Sequence, residues 1–368
     1  MCRTRHSVSL TLLALLMLLA CGSDKADLLA PDGGGSPQPG SNEWLIPQDQ
    51  IKDGGPGKDG IPSIDAPRFQ SGWSNMSAVG DNDLVVIYIP SDGSQARAYP
   101  HPILDWHEVV NDRVGDKGAS VTYCPLTGST VIVDRAIVSG SGFGVSGLLY
   151  NNNLIMYDRA TDSRWPQMSL LCANGPLVGT PVVPLPMIET TVATARRMFP
   201  NAEVLTTQTG HNQPYGRYPY GTYKTNSGTL FSISITDNSM HPKERIHGII
   251  AGGASKAYTI KSLNGRVAIN DQVGAAPVLI AGSGPDNFVV SFARFSHNGE
   301  PLTFSVDTSA VQIYPFNLRD DQTGSTWNIL GQAISGELSG QRLTPTVNMN
   351  SYWFAWINFY PDTEVYVD

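Results

Sequence analysis

An internal duplication constrains the fold most, because two similar segments of one chain are expected to adopt similar structures. A motif of the form Asp-x-x-Thr-x-Ser-x-Trp begins at Asp158 and recurs from Asp320. A Gly-x-Leu-x-Gly motif begins at Gly175 and recurs from Gly336, at nearly the same separation along the chain. Because the two motifs recur in the same order and at nearly the same separation, they predict two copies of a domain-sized unit. Such a unit is far longer than the repeats of a solenoid.

The two copies predict a division of the chain into five parts. The residues before the first copy contain PDGGGSPQPGS and KDGGPGKDG, and this Gly/Pro-rich composition cannot offset the entropy lost on ordering. The predicted parts are a lipoprotein signal at 1–21, a flexible tether at 22–60, a first β-rich copy at 61–205, a Tyr-rich insert at 206–243 and a second β-rich copy at 244–368.

The local signals within each copy are mostly those of β-strands. Helices are predicted only near Pro102–Val110, near Glu189–Phe199 and at its counterpart Asn350–Phe359. The sequence therefore predicts an α+β, β-rich fold: two pseudo-repeated β-rich subdomains with a few short helices, after a disordered tether. Runs of β-branched and aromatic residues between turn formers predict strands at 83–89, 119–124, 129–135, 153–158, 245–251, 276–281 and 287–295.

The N-terminus has the features of an export signal. Basic residues precede an apolar run from Val8 to Ala20, which is too short to span a bilayer but suits a signal peptide. The run ends in LLACG, which resembles a bacterial lipobox and implies that Cys21 carries the lipid that anchors the chain to the membrane. The alternative is an ordinary cleaved signal with a chance Cys. Because Gly22 is not Asp, resemblance to sorting rules implies the outer membrane, on its periplasmic or surface side, rather than the inner membrane.

The charge balance argues against polyanionic partners. The chain has 24 Lys and Arg against 32 Asp and Glu, a net charge of −8, and no basic cluster. We therefore expect no binding to nucleic acid or to an anionic lipid surface. Apart from Cys2 and Cys21 of the signal, the cysteines are Cys124 and Cys172. In an oxidising compartment these two could pair, but the sequence leaves the disulfide open.

Several long phrases resemble one bacterial family of exported proteins, the domain-of-unknown-function family numbered 3179. The resemblance covers about 54–368 and implies no activity, since the family's function is unassigned. Many members have a second Cys in the phrase CPLC, where this chain has Thr127, so a two-thiol role is not implied here. The phrases include ARAYPHPILDWHEVVND (96–112), VTYCPLTGS (121–129), FGVSGLLYNNNLIMYDRATDSRW (143–165) and TGHNQPYGRYPYGTY (209–223).

Polar residues present only in the first copy are free to form a site, whereas residues kept in both copies are expected to serve the fold. A thiolate at Cys124 with His107 or His211 as its base would be a nucleophile, so Cys124, His107 and Glu108 are the catalytic candidates. HExxN at 107–111 lacks the second imidazole of a zinc protease, which favours a helix cap or a buried network for His107. The residues found only in the first copy are Asp105, His107, Glu108, Cys124, Ser146 and Arg164.

A glycine pattern in the first copy, GFGVSG at 142–147, matches G-x-G-x-x-G. A dinucleotide site needs a helix after this pattern, whereas a turn into a strand is predicted here. Leu148 also stands where a nucleophile elbow around Ser146 needs a glycine. The pattern is therefore interpreted as a Gly-rich turn, and Ser146 is kept only as a candidate ligand contact.

The insert has the composition of a binding loop. The flat faces of its tyrosine rings and the forked guanidinium of its arginine are suited to binding a sugar, an anion or a peptide. Loops on a rigid scaffold also often carry function. The alternative is a Tyr-rich strap packed over the junction of the two copies. The candidate ligand-binding residues are His211, Tyr215, Arg217, Tyr223, Ser146 and Arg164.

Three functional hypotheses remain from the sequence. The first is an envelope lipoprotein that binds a small polar ligand or a metal ion in a polar pocket of the first copy plus the insert. The second is a thiol-dependent enzyme that uses Cys124 with a His base. The third is a structural or protein-binding component of the envelope. The sequence names no cofactor and no particular metal, and it leaves open whether the chain is an enzyme.

Overall fold

The chain folds into a β-rich structure with few helices, as predicted. The computed structural model describes residues 43–367 except 75, 91–93, 295 and 310–313. The predicted signal and its Cys21 lie outside these residues. In the described part of the chain the helices are α1 (His101–Leu104), α2 (Val192–Met198) and α3 (Trp353–Phe359), and none is long and apolar enough to cross a membrane.

The strands fall into two series, one before and one after the insert. The first series is β1 (Ile51–Asp53), β2 (Phe69–Ser71), β3 (Leu84–Tyr88), β4 (Arg97–Pro100), β5 (Val109–Val114), β6 (Lys117–Cys124), β7 (Ser129–Asp134), β8 (Phe143–Tyr150), β9 (Asn153–Asp158), β10 (Arg164–Pro166), β11 (Met187–Thr191) and β12 (Glu203–Leu205). The second series is β13 (Arg245–Ala251), β14 (Ala254–Thr259), β15 (Arg266–Val273), β16 (Ala276–Ser283), β17 (Phe288–Ala293), β18 (Ser296–His297), β19 (Glu300–Pro301), β20 (Phe304–Val306), β21 (Leu318–Asp320), β22 (Thr326–Trp327), β23 (Ala333–Ser335), β24 (Thr344–Pro345), β25 (Val347–Tyr352) and β26 (Glu364–Val365).

The same sheet topology occurs in the first half (residues 43–205) and the second half (residues 244–367). The order β11-β3-β4-β12-β2 in one half is matched by β25-β13-β14-β26 in the other. In both sheets the central hairpin is antiparallel, and the last shared strand runs parallel to its neighbour. The sheets β5-β6-β7 and β15-β16-β17-β24 also correspond, as do β8-β9-β10 and β20-β21-β22.

The recurring Asp-to-Trp motif forms the same buried turn in each half. The indole Nε1 of Trp165 donates to Asp158 Oδ2 at 3.1 Å, and that of Trp327 donates to Asp320 Oδ2 at 2.9 Å. All four side chains are fully buried. Because each carboxylate also accepts bonds from the Thr three residues later, the turn satisfies its buried charge with its own residues. The motif is therefore a structural element of the fold.

A second buried network recurs with the same chemistry. The hydroxyl of Tyr99 donates to Asp112 Oδ2 at 2.6 Å, and that of Tyr258 donates to Asp271 Oδ2 at 2.8 Å. A basic residue two positions before each Tyr completes the network by pairing with the same Asp. These residues hold the hairpin β3–β4 or β13–β14 against the following sheet.

The hydrophobic cores are shared between the halves. One buried cluster combines the first half's residues from Val109 to Val182 with the second half's α3 and β13. Another combines β3, β11 and α2 of the first half with Leu279 to Leu343 of the second. Correspondingly, β7 packs against β25, and β11 packs against β17. Two further buried clusters each lie within one half, so each half has a core of its own and also depends on the other half to complete the two shared cores.

A buried ion pair joins the halves where these strands meet. Glu189 on β11 pairs with Arg245 on β13 and accepts a hydrogen bond from Thr130 Oγ1 at 2.9 Å. The Nε2 atom of His101 lies 3.4 Å from the same carboxylate. Burial alone would raise the pKa of Glu189, but Arg245 and His101 lower it to about 2. The pair is thus charged on folding and fixes how the two halves are oriented.

Two sequence predictions are wrong in extent. The predicted helix Pro102–Val110 ends at Leu104, because Glu108 has a left-handed backbone (φ 58°) and Val109 starts β5. The predicted tether is also too long. Residues 43–60 belong to the fold, since β1 pairs with β8 and Leu45 N donates to Ala173 O at 2.8 Å. The Gly/Pro-rich composition of this segment predicted a flexible linker. In the fold, its glycines instead allow close packing.

The insert packs over the core that the halves share. Tyr223 is buried in that core, and its hydroxyl donates to Leu126 O of the first half at 2.9 Å. On the other side, Asn358 of the second half bonds to the backbone of Ile235. The insert is therefore a strap across the junction, whatever else it does.

Because the cores are shared, we expect neither half to fold alone. Residues 43–205 and 206–367, produced separately, should show no cooperative thermal unfolding and no near-ultraviolet circular dichroism of packed aromatic residues. Produced together, they should form a complex with both signals. A cooperative transition of either fragment alone would contradict the shared-core description.

Candidate functional site

The main candidate site is a cavity of about 370 Å³ between the first half and the insert. The segment 54–62, the turn after α1 and the strand β8 form three of its sides, and the insert closes the fourth. Its walls are mostly aliphatic and aromatic. The residues that the insert contributes are Gln213, Pro219, Tyr220, Leu230 and Phe231.

Two carboxyl groups border this cavity, Asp105 and Glu108. Asp105 is the residue at which α1 ends, and Glu108 follows one turn later, so a tight chain reversal presents both to the same space. Asp105 is 5% exposed and Glu108 also 5%. Two acids in a mostly apolar enclosure are unusual because burying a charged group is costly unless it is paired.

One carboxylate oxygen has no partner. Asp105 Oδ2 lies 3.2 Å from Lys224 Nζ of the insert, whereas Asp105 Oδ1 is buried without a hydrogen bond to any described residue. Lys224 also lies over the ring of Tyr218, with its Nζ 4.1 Å from the ring centroid. The insert thus supplies one cation to Asp105 and leaves the second carboxylate oxygen buried without a partner among the described residues.

Glu108 is held in a strained backbone conformation. Its φ of 58° is uncommon for a residue other than glycine, asparagine or aspartate. The conformation is fixed on both sides, because Glu108 N donates to Leu104 O at 2.8 Å and Glu108 O accepts from Tyr123 N at 2.7 Å. Strain of this kind is concentrated at functional sites.

The environment changes the acidity of both carboxyl groups. Burial, with a smaller contribution from Asp105, raises the pKa of Glu108 to about 8, and a hydrogen bond from Tyr220 opposes the rise only in part. Burial also raises the pKa of Asp105, and the charge of Lys224 opposes this. At neutral pH Glu108 is therefore mostly a neutral acid, able to donate a hydrogen bond or release a proton into the cavity.

The wall formed by residues 54–62 depends on glycine. Gly54 N donates to Gly147 O at 2.8 Å, which brings the segment directly onto β8. A Cβ on Gly147 (φ 80°) would lie 2.6 Å from the backbone oxygen of Gly57. The pattern at 142–147 is thus strand and bulge rather than the predicted turn, and its last glycine permits the close approach that encloses the cavity.

His107 is part of a buried network next to the cavity. Its Nδ1 lies 2.7 Å from Pro62 O, which can only accept, so Nδ1 carries the proton and Nε2 accepts from Tyr215 at 2.6 Å. Thr209 Oγ1 lies 2.5 Å from the hydroxyl oxygen of Tyr215. The ring of His211 packs against the ring of His107, with 5.3 Å between the ring centroids. Burial lowers the pKa of His107. This neutral imidazole ties the insert to residue 62 and has no nitrogen free to act as a base.

The candidate thiol is enclosed in the core. Cys124 is 1% exposed, and its Sγ lies 3.6 Å from Asn152 O. Burial, with a contribution from Glu108, raises the pKa of Cys124 to about 11, which disfavours the thiolate. Cys172 is also a free, buried thiol, so the two cysteines do not form the disulfide that the sequence left open.

The other predicted site residues are dispersed. Ser146 bonds to the backbone of Ile155 within the β8 bulge. Arg164 pairs with Asp162 at 2.8 Å on the surface. Arg217 is exposed, and only its carbonyl contacts the site by accepting from Trp106 Nε1 at 3.0 Å. Of the candidate residues named from the sequence as catalytic or ligand-binding, Glu108 alone borders the cavity.

Two contributors to the site escaped the sequence analysis. Trp106 lies within the helix predicted near Pro102–Val110, and residues 54–60 of the cavity wall lie within the predicted tether. Asp105 carried a signal, since it is a polar residue found only in the first copy. Within the described ranges, no group of three His, Cys, Asp or Glu side chains is arranged to hold a metal ion.

The raised pKa of Glu108 predicts a pH-dependent stability. Below pH 4.5 its carboxyl is protonated in both states, and between pH 4.5 and 8 only the folded state keeps the proton, so stability falls as pH rises. Glu108→Gln removes this loss. We expect the advantage of the variant in free energy of unfolding, measured in urea, to grow by about 4 kcal/mol between about pH 5 and pH 8. A difference that is constant with pH would contradict the buried acid.

Comparison with known proteins identifies a family and no function. The chain matches no curated protein and no solved structure at a significant level. One family model, described as a protein of unknown function (DUF3179), matches residues 58–363. This single match runs through both halves and the insert, so the internal repeat lies inside one family unit. The chain belongs to the DUF3179 family of proteins of unknown function.

Proposed function

We propose that this protein is a cell-envelope lipoprotein, anchored through Cys21 to the outer membrane, that binds a small molecule in the cavity bordered by Asp105 and Glu108. The observation that carries the binding proposal is the buried, unpartnered Oδ1 of Asp105. An unsatisfied buried acceptor costs about 1–3 kcal/mol, more when charged, and a ligand that donates to it recovers that free energy.

The form of the cavity supports a small organic ligand. Its volume of about 370 Å³ lies within the range of small-molecule sites. Apolar walls with a few convergent polar groups are the usual composition of such sites. The ligand we propose is therefore less polar than the sequence suggested, with an apolar body and one polar end.

The thiol-dependent alternative has less support. Its nucleophile is buried with the pKa raised to about 11, and the nearby imidazole of His107 already has partners on both nitrogens. The geometry therefore favours binding at the two carboxyl groups over chemistry at Cys124.

The anchor is tested by changing its lipidated residue. Cys21→Ala should abolish labelling by radioactive palmitate and release the chain from the membrane fraction, because the acyl chains supply the attachment. Cys2→Ala, in the segment that is cleaved off, should leave labelling unchanged. Palmitate labelling that survives Cys21→Ala would contradict the proposed anchor.

The cavity is tested by filling it. Leu230 borders the cavity and is 53% exposed, so Leu230→Trp should block the site at little cost in stability. Val183 is similarly exposed, at 51%, in a different groove, and Val183→Trp is the matched control. We expect small aromatic and aliphatic fragments to give saturation-transfer NMR signals with the wild type and Val183→Trp but not with Leu230→Trp. Equal signals from all three proteins, or none from the wild type, would refute the proposed site.

A further inference from the structure

We infer that the ligand of this cavity is an organic ammonium ion, with its charge beside Asp105 and Glu108 and its carbon substituents against the apolar walls. The inference rests on the proposed function and names the class of ligand. Three features of the site carry it: the sign of the wall charges, an ammonium group already bound to one of the acids, and the aromatic side chains of the enclosure.

The charged residues that line the cavity are both acidic. Asp105 and Glu108 border it, and the described lining contains no Lys or Arg. An anionic ligand would lie beside a carboxylate in an enclosure of low dielectric, where like charges repel strongly. A cation placed there would instead lie beside two acidic residues, one of which has a carboxylate oxygen, Asp105 Oδ1, without a hydrogen-bond partner among the described residues. The electrostatics therefore select positive charge.

The protein already binds an ammonium group with the same chemistry. Lys224 Nζ lies 3.2 Å from Asp105 Oδ2 and 4.1 Å from the centroid of the Tyr218 ring. A carboxylate combined with an aromatic face is a favourable environment for ammonium ions. Lys224 uses one oxygen of Asp105, so the other oxygen keeps its capacity to accept a hydrogen bond from a second ammonium group.

Aromatic side chains line the cavity on the side of the insert and the α1 turn. Trp106, Tyr220 and Phe231 all border it. Aromatic rings attract cations whose charge is spread over alkyl groups, which also lose less hydration on binding than a bare ammonium. The combination of three aromatic side chains with two acids favours alkylated ammonium over an inorganic cation.

The charge balance predicts that binding releases a proton. Glu108, with a pKa near 8, is faced by Asp105, Tyr220 and Cys124, none of which is positive. Asp105 is faced by Lys224 and by His101. A cation bound between the two acids stabilises ionised Glu108, so the ligand and Lys224 would then balance two carboxylates. Affinity for a permanent cation should therefore increase as pH rises toward 8.

Choline and its neutral isostere 3,3-dimethylbutan-1-ol test the inference on the full-length protein, because they differ in charge and hardly in shape. Isothermal titration calorimetry should give choline at least about tenfold tighter binding than the alcohol. The choline enthalpy should depend on the ionisation enthalpy of the buffer at pH 7.5, which reports the released proton.

Three variants locate the binding. Asp105→Asn should weaken choline binding about tenfold or more, whereas Lys224→Met, which removes the competing cation, should tighten it. Asp81→Asn makes the same charge change at an exposed ion pair with Arg196 and should leave the affinity unchanged. The opposite signs expected for Asp105→Asn and Lys224→Met separate binding from a general loss of structure.

The outcomes distinguish the inference from the proposed function. Equal binding of choline and the alcohol, both lost in Leu230→Trp, would overturn the ammonium class and leave the cavity as a ligand site. Failure of choline to bind at millimolar concentration would also overturn the ammonium class, and the fragment experiment would then decide the cavity by itself. Choline binding that is unchanged by Asp105→Asn would overturn the inference as well.

Discussion

The sharing of hydrophobic cores between the two halves is the constraint on which the rest of the structure depends. Each half has the same order of sheets and an internal core, yet each also has an apolar face that is buried only against the other half. Burial of apolar surface is the dominant favourable contribution to folding, and here it requires both halves at once. The insert that links them is placed over one of these joint cores. The cavity lies beneath the insert, and all of its lining residues belong to the first half or to the insert.

Duplication also explains why one half was free to acquire a site. The Asp–Trp turns and Tyr–Asp pairs recur with matching hydrogen bonds, which indicates that they are needed wherever this topology occurs. The strands that meet at the junction differ. Where the first half has Glu189 with Arg245, the corresponding position of the second half is Asn350, bonded to His247 at 2.8 Å. The pair at the first half's position is thus charged, and the pair at the second half's position is neutral. The two acidic residues of the cavity, Asp105 and Glu108, belong to the first half.

Sequence patterns predicted the strands, which depend on the local order of residue types. They missed features that depend on contacts between separate parts of the chain. The strands near 119–124, 153–158 and 245–251 were correct because runs of apolar, β-branched and aromatic residues between turn formers are typical of buried strands. The helix predicted from Pro102 ends at Leu104, and Glu108 has a left-handed backbone that is held by hydrogen bonds to Leu104 and to Tyr123 of β6 rather than by its own preference. Residues 43–60 looked like a linker because glycines that pack against β8 have the same composition as glycines that confer flexibility. Glu108 and Asp105 could be selected as candidate site residues because the second copy lacks them. The aromatic side chains that line the cavity could be identified only from the fold.

Glu108 is the residue at which the fold and the proposed chemistry can be told apart. A glycine at this position would adopt a φ of 58° without strain and would bury no carboxyl group. Glutamate instead lowers the stability of the fold through its strained backbone. It also lowers stability above the pKa of its carboxyl in the unfolded state, because that carboxyl ionises more readily in the unfolded chain than in the fold. Among the described residues Glu108 forms no ion pair with a basic residue to offset that cost, and the ammonium of Lys224 is bound to Asp105. If the ligand is the cation that we infer, it would supply the counter-charge that Glu108 lacks in the free protein.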